Sequence, residues 1–191
     1  MAHRGLELGD VLDRQWHWLR GEMERAKGPA LRKLARVLEE ARVPWAIIGG
    51  VALQVHHAEP RTTLDVDLAV VSCEQIPRGQ LEAEGFQFRE RFSHSENWMG
   101  PDATPVQFTD DPALGGAIAR AQVVEVEGAR LRVIRRVDLL HEKLRAGADH
   151  ARRRSKRLQD LADAQSLLED EPALWAELSP TQRALLDRIE L

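Results

Sequence analysis

Apolar residues recur at helical spacing in two stretches near the start of the chain. Leu12, Trp16 and Leu19 mark a polar, amphipathic helix over residues 8–26. Leu31, Leu34, Val37 and Leu38 mark a second, from about Ala30 to Ala41. Gly28-Pro29 reads as the break between them, and Pro44 as the end of the second. The period then changes. Trp45-Ala46-Ile47-Ile48 is a short, partly β-branched apolar run that stops at Gly49-Gly50, which predicts a buried strand. Val51 to His57 is helical again. After a turn near Glu59-Pro60, the stretch from Thr63 to Val71 opens with strict alternation. Thr63, Asp65 and Asp67 fall on one side of a strand; Leu64, Val66 and Leu68 fall on the other.

Further along, Glu74 to Ala83 reads as a helix. Phe86–Phe92, Asn97–Met99, Thr104–Thr109, Val123–Glu127 and Ala129–Ile134 read as strands, the last two joined by a tight turn at Gly128. Residues 136–146 and 150–170 read as helices, and two short helices close the chain. This order predicts an α+β fold with a mixed sheet flanked by helices. Residues 1–135 form the core unit with its N-terminal helices, and residues 136–191 a helical C-terminal region packed on it.

Composition narrows the function. Of 191 residues, 43% are hydrophobic and 30% charged, which fits a folded globular chain rather than a disordered one. A formal net charge of −4 disfavours a protein that coats DNA, which would be basic overall. The lone cysteine, Cys73, allows no internal disulfide and no Cys/His array for zinc. At the end of an apolar run it reads as a small buried hydrophobe. A reducing cytoplasm is expected. No apolar leader and no membrane-length apolar run is visible, so no membrane association is expected.

The chemistry concentrates in residues 47–70, IIGGVALQVHHAEPRTTLDVDLAV. Gly49 and Gly50 sit where a strand gives way to a helix, so backbone there can approach a phosphate closely. The free N–H groups at the helix start favour an anion. Asp65 and Asp67, two apart on one strand face, can hold a divalent cation, and magnesium prefers one or two carboxylates plus substrate phosphates. Thr63 shares their parity and can hydrogen-bond beside them. Arg61 is near enough in sequence to neutralise phosphate charge. Singly, each of these is common and bland. As an ordered set they call for a cationic partner, because two carboxylates in an apolar strand are costly unless paired.

This segment resembles the signature of nucleotidyltransferases of the DNA polymerase beta superfamily. It is similar in particular to the AbiEii/AbiGii type, the toxin halves of some bacterial abortive-infection and type IV toxin–antitoxin systems. The matching positions are Gly49, Gly50, Ala52-Leu53, Arg61, Thr63, Asp65 and Asp67. A second match follows in residues 136–168: a helix with Lys143, a basic stretch through Arg152, Arg153, Arg154, Lys156 and Arg157, then Asp160 and Asp163. The likeness spans about residues 36–170. It implies a nucleotidyltransferase fold and an enzyme that moves a nucleoside monophosphate from an NTP to a hydroxyl of RNA, protein or a small molecule. It further implies Mg2+ (or Mn2+) held by Asp65 and Asp67 as the catalytic carboxylates. Gly49, Gly50, Arg61, Thr63 and Lys143 would serve the nucleotide phosphates. An antitoxin protein is the partner it implies.

The superfamily adds a third carboxylate from a neighbouring strand. Here that position falls on Gln107, which can ligate a metal through its carbonyl but cannot act as a base. Asp102, Asp110 and Asp111 lie nearby in sequence. Two readings therefore stand: a transferase, or a nucleotide-binding or regulatory module that kept the fold. His56 and His57 read as a surface helix end, set against a contact with the nucleotide. For Lys143, a solvated helix face weighs equally with phosphate binding. Asp160 and Asp163 read as a helix-packing pair with a functional contribution, set against a secondary site. The five tryptophans are scattered and read as packing. There is no Walker A, Gly-x-Gly-x-x-Gly, His-Glu-x-x-His or nucleophile-elbow pattern.

Overall fold

Leu31, Leu34, Ala35, Val37 and Leu38 form the buried face of helix α1 (Lys27–Glu40), and their three- and four-residue spacing is why that face exists. The structure, a computed structural model, describes residues 11, 27–56, 62–126 and 129–187. The predicted helix over 8–26 (Val11 apart), His57, Arg61 and the Gly128 turn lie outside the described residues. Gly28 and Pro29 lie inside α1 rather than ahead of it. Both lie in the first turn of α1, where proline's missing N–H has no helical partner to lose.

After Pro44 come β1 (Trp45–Ile47), helix α2 (Gly49–His56) and β2 (Val66–Val70). The predicted strand beginning at Thr63 is shorter than expected. Residues 62–65 are not part of the ladder, so Asp65 sits just ahead of β2 and only Asp67 is within it. Pro77 splits the predicted helix 74–83 into a 3-10 turn (Cys73–Gln75) and α3 (Arg78–Ala83). β3 (Gln87–Phe92), β4 (Ser95–Met99) and β5 (Pro105–Thr109) follow. A short α4 (Gly115–Ala119), not foreseen, precedes β6 (Gln122–Val126) and β7 (Ala129–Val133).

These strands form one seven-stranded mixed sheet in the order β3-β4-β5-β2-β1-β7-β6. β2 runs parallel to β5 and antiparallel to β1, and β1 runs parallel to β7. Alternation sorts the side chains of the central strands. Val66 and Leu68, Val106 and Phe108, and Trp98 are buried on one face. Glu96 is fully buried there too. It is tolerated because Arg78 and Arg91 meet its carboxylate and the Trp98 indole N–H donates to it. Asp67, Gln107 and Asn97 point the other way. Trp45 and Trp98 are core residues, as their scatter suggested, whereas Trp175 is partly exposed.

The chain divides into two units, Met1–Ile134 and Arg135–Leu191. The second contains α5 (Arg136–Ala148), α6 (Arg154–Asp170), a 3-10 turn (Pro172–Glu177) and α7 (Pro180–Asp187). Within it, α6 begins later than expected, with residues 150–153 outside the helix. No helix among the described residues is long and apolar enough to cross a membrane.

Candidate active site

The turn from β1 into α2 is built for close approach. Gly49 has φ +60°, a conformation that glycine adopts without cost. A Cβ placed there would lie 2.9 Å from Cγ of Asp67 and closer still to its Oδ2. A Cβ on Gly50 would lie 2.7 Å from Cβ of Thr63. The two glycines thus make room for the Asp67 carboxylate and the Thr63 side chain at the start of α2. Ile48 N–H donates to the Asp67 carbonyl at 3.0 Å, which ties the turn to β2. The first N–H groups of α2 and the positive end of its dipole favour negative charge at this place.

The acidic pair is supported from below. Thr63 is buried, and its hydroxyl donates to Asp65 Oδ1 at 2.8 Å. The ammonium of Lys27, in the first turn of α1, donates to the Thr63 carbonyl at 3.2 Å. Lys27 is only 4% exposed. Sequence reasoning missed it, because the reading placed the helix start beyond Gly28-Pro29. A lysine just before such a pair, given that proline is welcome in a first helical turn, was the available signal. Asp65 is exposed and Asp67 half-buried, so the pair is anchored in the fold and open to solvent.

Across the β2–β5 ladder, Asp67 is the register partner of Gln107. Asp110 and Asp111, near Gln107 in sequence, are otherwise engaged. Asp110 Oδ2 accepts the Cys73 N–H at 3.1 Å, and its Oδ1 lies 3.4 Å from His94 Nδ1. Burial alone would raise the Asp110 carboxyl. The Cys73 N–H and His94 outweigh burial and hold it below the usual range. Asp111 caps the following 3-10 turn by accepting from Ala113 N–H at 2.9 Å, and Asp102 lies in the Pro101–Ala103 turn. Among the described residues no three His, Cys, Asp or Glu side chains converge on one point. Asp65, Asp67 and the Gln107 carbonyl are hard oxygen donors, and the missing side chain of Gly49 is what lets the Asp67 carboxylate stand against the start of α2, so these donor types suit a small hard cation.

His56 corrects its reading as a surface helix end. It is buried, and its Nε2 lies 2.6 Å from the Ile134 carbonyl, a link that ties the end of α2 to the end of β7. Cys73 is buried as expected. Burial, with Asp110 and Glu96 nearby, pushes its thiol up to about 12.

In the second unit, Lys143 is not on a solvated face. Its ammonium is buried between Asp160 Oδ1 at 2.8 Å and Asp163 Oδ2 at 2.9 Å, and Arg152 reaches Asp160 at 3.2 Å. Burial alone would lower the Lys143 ammonium; Asp163 and Asp160 override it and raise the pKa. The helix-packing reading of the two aspartates becomes a buried ion triad that joins α5 to α6.

No protein-family model and no curated protein sequence matches the chain. Solved structures do. The chain is similar to an antigenic nucleotidyltransferase-like protein from Paracoccidioides brasiliensis, with a TM-score of 0.53 and 19% identity over 83% of this chain and 90% of that one. It is similar to ANT(2'')-Ia, an antibiotic-resistance factor solved in complex with adenylyl-2''-tobramycin. There the TM-score is 0.54 and the identity 17%, over 84% of this chain and 97% of that one. A third is JHP933 from Helicobacter pylori, with a TM-score of 0.56 and 18% identity over 84% of this chain and 72% of that one. At such identities the likeness speaks for architecture alone: the chain has the nucleotidyltransferase-type fold of these proteins.

Proposed function

We propose that the protein is a metal-dependent nucleotidyltransferase that moves a nucleoside monophosphate from an NTP to a hydroxyl acceptor. The observation that carries the reading is the Gly49-Gly50 turn, which seats the Asp67 carboxylate and the Thr63 side chain directly against the start of α2, in a chain with this fold. Asp65 and Asp67 would hold Mg2+ or Mn2+. When bound, that ion supplies charge neutralisation on the triphosphate and activation of the attacking oxygen. The protein's own part is positioning. Thr63 orients Asp65, Lys27 fixes Thr63, and Gly49 and Gly50 let phosphate oxygens near the first N–H groups of α2. Arg61 is assigned to phosphate charge on its sequence position. These roles use residues of Met1–Ile134 only.

Neighbours of this fold include a protein solved with an adenylylated antibiotic, and RNA or protein hydroxyls are the other acceptor classes the resemblance suggests. The finer proposal is the toxin half of a type IV toxin–antitoxin pair, with an antitoxin protein as partner. Radiolabelled NTP offered with cellular RNA, protein and aminoglycosides is expected to give a labelled product that Asp67→Asn does not give. Absence of labelling by folded wild type with both metals, despite nucleotide binding, would favour the second reading. That reading, a nucleotide-binding module without turnover, is supported by Gln107 at Asp67's register position, where a carboxylate able to accept a proton is lacking.

A further inference from the structure

The amide opposite Asp67 is oriented from two strands away. Asp67, Gln107, Asn97 and Glu90 stand in one row across β2, β5, β4 and β3. Gln107 Nε2 donates to Asn97 Oδ1 at 3.3 Å, and Asn97 Nδ2 donates to Glu90 Oε1 at 2.9 Å. An amide has one donor end and one acceptor end, whereas an ionised carboxylate only accepts. Glu90 therefore draws the NH2 of Asn97 toward β3. Asn97 then presents Oδ1 to β5, and Gln107 turns its NH2 to meet it. The Gln107 atom left for whatever is bound beside Asp67 is its carbonyl oxygen, Oε1.

A defect in β3 sets the direction of this relay. Phe88 pairs with Trp98, but the register then slips, and Glu90 pairs with Asn97. An unbroken ladder would bring Arg89 there. A guanidinium only donates, so the relay would run backwards and turn the NH2 of Gln107 toward the site. Bulges beside active sites re-aim side chains in this way.

We propose that Glu90 and Asn97 are positioning residues that lock Gln107 as a neutral carbonyl ligand for the divalent cation at Asp65 and Asp67. The inference rests on the metal-site reading above and deepens it. Hard cations accept amide carbonyl oxygens, and the NH2 end would face the cation with its positive hydrogens.

The test is Mn2+ binding to the full chain, read by calorimetry and by the electron paramagnetic resonance signal of free Mn2+, with circular dichroism melts to show that each variant folds. Wild type is expected to bind and Asp67→Asn to lose binding. Gln107→Leu should weaken Mn2+ about tenfold or more, and Glu90→Lys, which reverses the relay, by about tenfold. In an Asn97→Leu background there is no amide to transmit the reversal, so Glu90→Lys should add little further loss. Wild-type affinity in Gln107→Leu, or a Glu90→Lys effect undiminished in that background, overturns the inference alone. No Mn2+ binding by wild type, or equal binding by Asp67→Asn, overturns the metal-site reading and the inference with it.

Discussion

Gly49 is the residue where one added carbon does most harm. Its φ of +60° costs an L-residue about 1–2 kcal/mol, and the new Cβ would overlap the Asp67 carboxylate. Gly49→Ala is therefore expected to lose at least about 1–2 kcal/mol in urea unfolding and to lose Mg2+-dependent nucleotide binding as well. Full stability in that variant would show that the turn is not strained as described. Cys73 gives a second residue-scale test. With its thiol pushed up to about 12 and its side chain buried, it holds almost no thiolate at pH 8. A disulfide reagent should leave the native protein unmodified at pH 8 and react with one thiol after unfolding. Rapid labelling of the native protein would contradict the packing of the Cys73–Gln75 turn.

At the scale of elements, the α5–α6 pair depends on a buried ion triad. Lys143→Met removes the cation that sits between two buried carboxylates. A loss of about 3–5 kcal/mol is expected. The pH dependence has a definite sign. The folded-state pKa of Lys143 is raised above its ordinary 10.5. Its stabilising contribution is thus complete below 10.5 and is lost as pH rises through the folded value. The stability gap between wild type and Lys143→Met should stay level from neutral pH to about 10 and narrow above it. A gap already narrowing at pH 8 would argue against the triad. Elements were legible where the pattern was long. The apolar face of α1 and the triplet of β1 were visible in sequence, as were the two long C-terminal helices. α4 was not, because five residues of Gly-Gly-Ala-Ile-Ala carry no readable period. The extra length assigned to β2 came from alternation continuing through Thr63 and Asp65, which lack a ladder partner.

At the scale of the molecule, what was legible was local. The strand–Gly-Gly–helix motif and Asp-x-Asp lie within about twenty residues, so their meeting could be inferred from sequence. The strand order β3-β4-β5-β2-β1-β7-β6 could not, since it depends on pairings distant along the chain. Gln107 was found only through the resemblance, and the β2–β5 register then set it opposite Asp67. Lys27 was missed, and the Glu90–Asn97 relay was invisible. The lysine reaches Thr63 from 36 positions away, and the relay depends on a register slip that no alternation pattern records.

The most direct test of the central claim is calorimetric binding of each NTP with Mg2+ and with Mn2+, comparing wild type with Asp65→Ala/Asp67→Ala. The account predicts metal-dependent binding of at least one NTP by wild type, abolished in the double variant, with both proteins equally folded by circular dichroism. Binding that is indifferent to metal, or unchanged in the double variant, would contradict it.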